Sequence, residues 1–224
     1  MVCFASLFED VIMDHCPLCS SSRLQYYYED KHRAYLQCQQ CDLVFVNSVQ
    51  RLDAKAEKAH YDLHENDPND GGYRTFLSRV ADPVIKRIES NSEGLDFGCG
   101  PGPTLSLMFE EQGHKMSLYD IYYYPDTEVL ERTYDFITAT EVIEHLYHPG
   151  RIWQQWLNLV KPGGWIGLMT KMVIDVEAFA RWHYKNDPTH VVFYSRNTFE
   201  YLAERDKLKL EFIGNDVILL RKIQ

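Results

Sequence analysis

The chain has 224 residues, 45% of them hydrophobic and 25% charged, with 33 acidic against 23 basic side chains and a net charge of −10. That length buries one ordinary α/β core and leaves a few tens of residues for a small appendage. No apolar run approaches the ~20 residues of a membrane span, and no basic stripe is present of the kind that tracks a nucleic-acid backbone.

Residues 1–12, MVCFASLFEDVI, carry Glu9 and Asp10 where a secretory leader would carry Lys or Arg. They are expected to be a disordered extension or to follow an upstream start codon, with Met13 next to the first motif, and a cytoplasmic location is expected. Cys3 reads as incidental.

From 13 to 46 the cysteines set the pattern. Cys16-Pro-Leu-Cys19 and Cys38-Gln-Gln-Cys41 are two tight pairs separated by a hairpin's length of chain. Each CxxC turn points two thiolates at one centre, and two turns supply the closed four-sulfur site of a structural zinc ribbon. The intervening LQYYYEDKHRAYLQC alternates as a two-stranded ribbon, which DLVFV continues. So short a module lacks a core, so metal would supply most of its folding free energy, roughly 10–16 kcal/mol. Disulfides or a redox CxxC are the alternative, and the paired spacing weighs against them. His15 and His32 read as surface residues.

Residues 47–72 are polar, contain a short Ala/Lys/Glu stretch of helical character, and end in a breaker cluster, as an interdomain connector would. From Tyr73 the spacing of Phe76, Leu77, Val80, Val84, Ile85 and Ile88 predicts a helix, broken or restarted at Asp82-Pro83.

GLDFGCGPGPTLSLMFEEQGHKMSLYD then reads as strand, glycine-rich turn, helix and a second strand ending at Asp120. YDFITATEVIEHL reads as a strand running into a helix. RIWQQWLNLVKPGG is an amphipathic helix closed by a Pro-Gly-Gly turn, WIGLMTKMV is a strand, and LKLEFIGNDVILLRK is a terminal antiparallel hairpin. The predicted fold is α/β, a Rossmann-like sheet with helices on both faces, behind a small β ribbon.

The Gly98-Cys99-Gly100-Pro101-Gly102 turn lets a ligand approach the backbone closely. Asp96 lies on the strand before it, and Asp120 ends the next strand, where a carboxylate can accept from both ribose hydroxyls. Sites for ATP, NAD and S-adenosylmethionine share this architecture.

Further residues carry a resemblance to class I S-adenosylmethionine-dependent methyltransferases, from about Tyr73 to the C-terminus. LDFGCGPG resembles that family's first motif, YDFITATEVIEHL its fourth, and LVKPGGWIGLMT its post-catalytic turn and strand. EVIEHL and DPTHVVFYS are similar to strings in the ubiquinone and menaquinone type and in related small methyltransferases, several of which carry a cysteine ribbon in front. The resemblance implies that Asp96, Gly98, Gly100 and Gly102 form the S-adenosylmethionine loop, with Cys99 packing inside it and Asp120 holding the ribose. Tyr73, with Arg74, would close over the cofactor or simply start a helix. The segment 121–133 is too short for the family's usual helix and third strand, which leaves Tyr122 or Tyr123 to stack on the adenine.

Methyl transfer is an in-line displacement, and a base is needed only where the nucleophile carries a proton. Glu141, Glu144 and His145 would share one helix face. His145 would act as base, or the three would hold a divalent cation such as Mg²⁺ against a catechol-like acceptor. The alternative is that the acids only satisfy a helix N-terminus, the preferred reading for Glu144. Segment 182–190 is expected to be an acceptor-side lid, with His190 the other candidate base and His183 a packing or surface group. A small-molecule acceptor is favoured. An RNA methyltransferase gripping its substrate with the ribbon, and a non-catalytic adaptor, are the competing readings; membrane insertion is not expected, and the oligomeric state is not legible.

Overall fold

A computed structural model describes residues 15–62 and 67–223; the expectations for residues 1–12 and for Cys3 lie outside them. The alternating segment after the first cysteine pair forms β1 (Leu24–Glu29) and β2 (Ala34–Cys38), and β3 (Val44–Val46) follows the second pair. Then come α1 (Ala54–Tyr61) and α2 (Gly71–Ile85).

Helix α2 runs straight through Asp82-Pro83, contrary to the expected break. Its start is elsewhere: the Asp70 carboxylate accepts from the Gly72 amide at 2.7 Å. Proline forfeits one N–H near the helix end, while Leu77, Val80, Ala81 and Val84 are all buried against the sheet. Burying such side chains is worth about 1.5–3 kcal/mol each, enough to carry the helix past one lost bond.

The remaining elements are β4 (Glu93–Phe97), α3 (Thr104–Glu110), β5 (Lys115–Tyr119), β6 (Tyr134–Thr140), α4 (Pro149–Leu159), β7 (Val160–Met169), α5 (Val176–Ala180), β8 (Val192–Phe193), α6 (Arg196–Asp206), β9 (Leu208–Ile213) and β10 (Val217–Lys222). Six strands form one sheet in the order β5-β4-β6-β7-β10-β9. The first four are parallel, and β10 is antiparallel to both neighbours. Successive residues of β10 face opposite ways: Val217 and Leu219 belong to the buried cluster that includes α2 and α3, whereas Ile218 and Leu220 belong to the one that includes α4 and α6. The sheet is thus covered on both sides, as a Rossmann-like fold requires.

Two local departures are instructive. The Lys161-Pro162-Gly163-Gly164 stretch, expected as a turn after a helix, lies inside β7 as a bulge: Tyr134 faces Val160, yet Phe136, two residues on, faces Trp165. Gly163, at φ +82°, supplies the left-handed residue of that bulge. Between β5 and β6 the chain makes only a 3₁₀ turn at Glu128–Glu131, so β5 is a sheet edge where a further helix and strand were expected to be missing.

A second sheet runs β1-β2-β3-β8, so β3, which follows the second cysteine pair, pairs antiparallel with a strand that lies beyond β7 in sequence. Cys16, Cys38, Cys41 and Phe45 share one buried cluster with Trp153, Trp156 and Leu202 of α4 and α6. The module expected to lack a core therefore borrows one. At the contact, the Gly150 amide donates to the Pro17 carbonyl at 3.1 Å, and a Cβ on Gly150 would sit 2.5 Å from the Leu18 carbonyl oxygen. Among the described residues no helix is long and apolar enough to cross a membrane.

Candidate active site

A cavity of about 630 Å³ opens above the C-terminal ends of the parallel strands, the place where open α/β sheets bind ligands. Its floor is the loop after β4. Gly98 has φ +75°, and a Cβ there would lie 2.5 Å from a Val142 methyl, so only glycine fits. Gly100, also left-handed, donates its amide to Asp120 Oδ2 at 3.1 Å. Asp120 Oδ1 accepts from the amides of Tyr122 and Tyr123 at 2.8 and 3.1 Å. The carboxylate is thereby pinned at the cavity wall, with lone-pair capacity left on its two oxygens.

Asp96 also borders the cavity but is buried, accepting from Ser106 and Thr138 hydroxyls at 3.0 and 3.1 Å. Burial pushes its pKa up to about 6, against the pull of those hydroxyls. Gly102 lines the same floor. Cys99 is buried there, and burial, together with the Asp96 and Asp120 carboxylates, holds its thiol well above the ordinary range.

Tyr73, in the first turn of α2, forms part of the wall. Arg74 turns away to pair with Glu111. Tyr122 is held by the segment expected to be a plain connector: its hydroxyl donates to Glu57 Oε2 of α1 at 2.8 Å, and Tyr123 donates to Asp62 at 2.7 Å. Glu57 and Tyr61, four residues apart on α1, both face the cavity. Sequence reasoning missed them; their i,i+4 spacing in AKAEKAHY was the available signal.

The opposite end of the cavity departs most from expectation. Glu141 does not begin a helix: it sits in the left-handed region at φ +52°, its amide donating to the Met169 carbonyl at 2.8 Å. Only a 3₁₀ turn, Ile143–His145, follows. Glu144, expected to satisfy a helix N-terminus, is instead 0% exposed with no α-helix starting there. The acids are gathered from outside instead: the Tyr184 hydroxyl donates to Glu144 and lies 3.2 Å from Glu141 Oε2.

One phenol hydrogen cannot serve two carboxylates. Glu144 Oε2 is buried with no hydrogen-bond partner among the described residues. Burial first, and then the Glu141 charge, raise the Glu144 pKa to about 8, while burial keeps Tyr184 neutral.

The two histidines complete the cluster. His190 Nδ1 lies 2.7 Å from the Tyr184 carbonyl, and His145 Nδ1 lies 3.1 Å from that of Thr189. A carbonyl can only accept, so Nδ1 carries a hydrogen in each ring. Burial lowers the pKa of His190, keeping it a neutral imidazole. Ligand atoms of Glu144, His145 and His190 lie within 4.8 Å of one another. His183 is exposed, 3.3 Å from Lys171 Nζ.

Away from the cavity, the four ribbon cysteines bring their sulfurs within 4.8 Å of one another, with Cys16–Cys41 and Cys19–Cys38 each at 3.5 Å. The Leu18 and Gln40 amides donate to the Cys16 and Cys38 sulfurs, each at 3.4 Å.

The sequence model of a family described as "Methyltransferase domain" matches residues 64–211. Two curated relatives are ubiquinone biosynthesis O-methyltransferases. That of Shewanella pealeana is 33% identical over 91 residues, covering 38% of this chain and 36% of that protein. That of Colwellia psychrerythraea is 28% identical over 124 residues, covering 54% and 46%. The chain thus matches less than half the length of these relatives. Among solved structures, the Burkholderia thailandensis 1,6-didemethyltoxoflavin N1-methyltransferase, with its substrate and S-adenosylhomocysteine bound, has a TM-score of 0.53 at 14% identity, covering 89% of this chain and all of that one. An O-methyltransferase family protein from the same organism has a TM-score of 0.51 at 13% identity, covering 76% and 60%. At such identities the likeness is one of fold.

Proposed function

The chain belongs to the methyltransferase-domain family, and on that premise we propose that it transfers a methyl group from S-adenosylmethionine to an oxygen of a small acceptor. One observation carries the reading: a single cavity has a glycine loop tied to Asp120 at one end and Glu141, His145 and His190 at the other, with the buried Glu144 behind them within 4.8 Å of both rings. The curated relatives' activity on oxygen and the net charge of −10 support a small acceptor over a nucleic acid.

Gly98, Gly100, Gly102, Asp96 and Cys99 form the cofactor floor in this reading. Asp120 accepts from the ribose hydroxyls, and Tyr73 and Tyr122 close the walls. S-adenosylmethionine, when bound, supplies an electrophilic methyl on sulfur. The protein's contribution is alignment and the exclusion of water, since in-line displacement depends on both.

At the acceptor end, Glu141, Glu144, His145 and His190 suit a divalent cation. The buried Glu144 Oε2, without a hydrogen-bond partner among the described residues, and the ring nitrogens of His145 and His190 are donors of the kind such an ion requires, and hydrogen bonds from Nδ1 to carbonyls orient the rings as ligands. Such an ion, when bound, would acidify a hydroxyl coordinated to it. Where no such ion is bound, His145 or His190 would instead be the base that takes the hydroxyl proton, since one ring nitrogen cannot hold a metal and accept a proton at once. The carbonyls of Tyr184 and Thr189 hold the His190 and His145 rings in place.

Cys16, Cys19, Cys38 and Cys41 are assigned to one structural zinc. A tetrahedral site with Zn–S of about 2.3 Å separates its sulfurs by about 3.8 Å, and the buried cluster suits that span. We retain a ribbon at 13–46, a connector at 47–72 and a catalytic part from 73, with α1 of the connector serving as a cavity wall.

The test is transfer of labelled methyl from S-adenosylmethionine to a panel of catechols and phenols, with and without EDTA and added Mg²⁺ or Mn²⁺. Label on acceptor oxygen that requires the cation supports the reading. Label only on nitrogen, or on no acceptor, contradicts it.

A further inference from the structure

Arg33 lies in the turn between β1 and β2, more than 150 residues from the loop it contacts, and is only 8% exposed. Its guanidinium faces one loop. It donates to the carbonyls of Asp187 at 3.0 Å, Pro188 at 3.4 Å and His190 at 2.8 Å, and also to that of Lys185. Its Nε reaches the Tyr35 hydroxyl at 3.2 Å. A buried guanidinium is costly unless its five N–H groups find acceptors, and here one loop supplies most of them through its backbone.

The same turn grips that loop a second time with the opposite charge. Asp30 Oδ2 lies 3.2 Å from the ammonium of Lys185, which is 5% exposed. Burial opposes the charge on Asp30, yet the His32 and Arg33 amides, Lys185 and Tyr35 together hold its pKa down to about 2. Just past the loop, Val191 is held from both sides: its carbonyl accepts from the Val46 amide at 2.9 Å, and its amide donates to the Glu144 carbonyl at 2.8 Å.

The geometry points to Arg33 as a positioning residue for the acceptor end of the cavity. Four carbonyl oxygens converging without a cation would repel one another, and the loop would have to splay. Arg33 gathers them. In doing so it fixes the backbone whose carbonyls at Tyr184 and Thr189 orient His190 and His145, and whose Tyr184 hydroxyl serves Glu144. The ribbon thus acts as a template for the lid rather than as a separate module. The inference rests on reading Glu144, His145 and His190 as acceptor-end ligands.

The test uses the zinc-loaded full chain with Arg33→Ala and Arg33→Lys. Three quantities are measured: S-adenosylhomocysteine affinity by calorimetry, Mn²⁺ binding by electron paramagnetic resonance, and amide exchange across 183–191 by mass spectrometry. Arg33→Ala is expected to weaken Mn²⁺ binding by about tenfold, as loss of an orienting shell around metal ligands does. Exchange across 183–191 should speed by about tenfold as local opening becomes easier, while zinc content and S-adenosylhomocysteine affinity hold. Arg33→Lys, with three donors for four carbonyls, should fall between, and millimolar guanidinium should restore part of the Mn²⁺ binding to Arg33→Ala.

Unchanged exchange across 183–191 would overturn the inference, as would loss of zinc and S-adenosylhomocysteine binding in parallel with Mn²⁺. Should Arg33→Ala fail to fold, Asp30→Asn, which frees Lys185 but keeps the guanidinium, carries the same expectation for exchange. A wild-type protein that binds no Mn²⁺ overturns the cation reading instead, and the exchange measurement still decides the role of Arg33.

Discussion

The Tyr184 hydroxyl donates to the carboxyl of Glu144, so a residue forty positions along the chain supplies the hydrogen bond that a fully buried acid needs. Tyr184→Phe keeps the ring and removes that donor, leaving the buried Glu144 carboxyl short of a hydrogen bond. Leaving a buried polar group unsatisfied costs about 1–3 kcal/mol, so the melting temperature should fall. Mn²⁺ should restore more stability to the variant than to the wild type. Thermal denaturation with and without Mn²⁺ checks this; equal restoration in both proteins would contradict it.

Gly98→Ala places a left-handed L-residue against Val142, with a Cβ 2.5 Å from a methyl. The backbone alone costs about 1–2 kcal/mol, and the loop must shift to relieve the contact. S-adenosylhomocysteine affinity measured by calorimetry should drop by about tenfold, the equivalent of ~1.4 kcal/mol, with stability reduced as well.

Asp96 gives a pH signature. Its folded pKa, about 6, is raised above the ordinary 3.8. The stability it contributes is therefore present in full below about pH 3.8 and is lost as pH rises through 6. Asp96→Asn stays neutral throughout. The stability of Asp96→Asn relative to wild type, from denaturant titrations, should rise between pH 4 and 7; a flat difference would show that Asp96 does not titrate in that window.

Cys38→Ser breaks the proposed four-sulfur site at a position buried in the same cluster as Trp156. Metal analysis should find about one zinc per wild-type chain and substoichiometric zinc in the variant. Because the ribbon shares its core with α4 and α6, the damage should extend beyond it. A loss of even ~2 kcal/mol would lower the melting temperature by roughly 4–8 °C in a chain of this size.

What could be read from the sequence was local chemistry. Two CxxC pairs, a glycine loop with an acid at the end of the next strand, and a terminal hairpin each declare themselves within some thirty residues, because turn geometry and strand alternation act at short range. EVIEHL misled because its spacing fits a helix face. The chain, however, has to leave β6, spend Glu141 on a left-handed turn and start α4 at Pro149, which leaves room only for a 3₁₀ turn. Glu141, Glu144 and His145 still converge, but through Tyr184 and Thr189 some forty residues away. Arg33 was invisible for the same reason: its acceptors lie more than 150 residues along the chain, and nothing in its neighbours announces them.

The most direct test of the account is calorimetric titration of S-adenosylhomocysteine, with NAD and ATP as controls, into the wild type and Asp120→Ala. S-adenosylhomocysteine alone should bind the wild type, and Asp120→Ala should weaken it by about tenfold or more, the worth of one charge-assisted hydrogen bond. Binding of NAD or ATP in its place, or an affinity for S-adenosylhomocysteine that Asp120→Ala leaves unchanged, would contradict the assignment of this cavity.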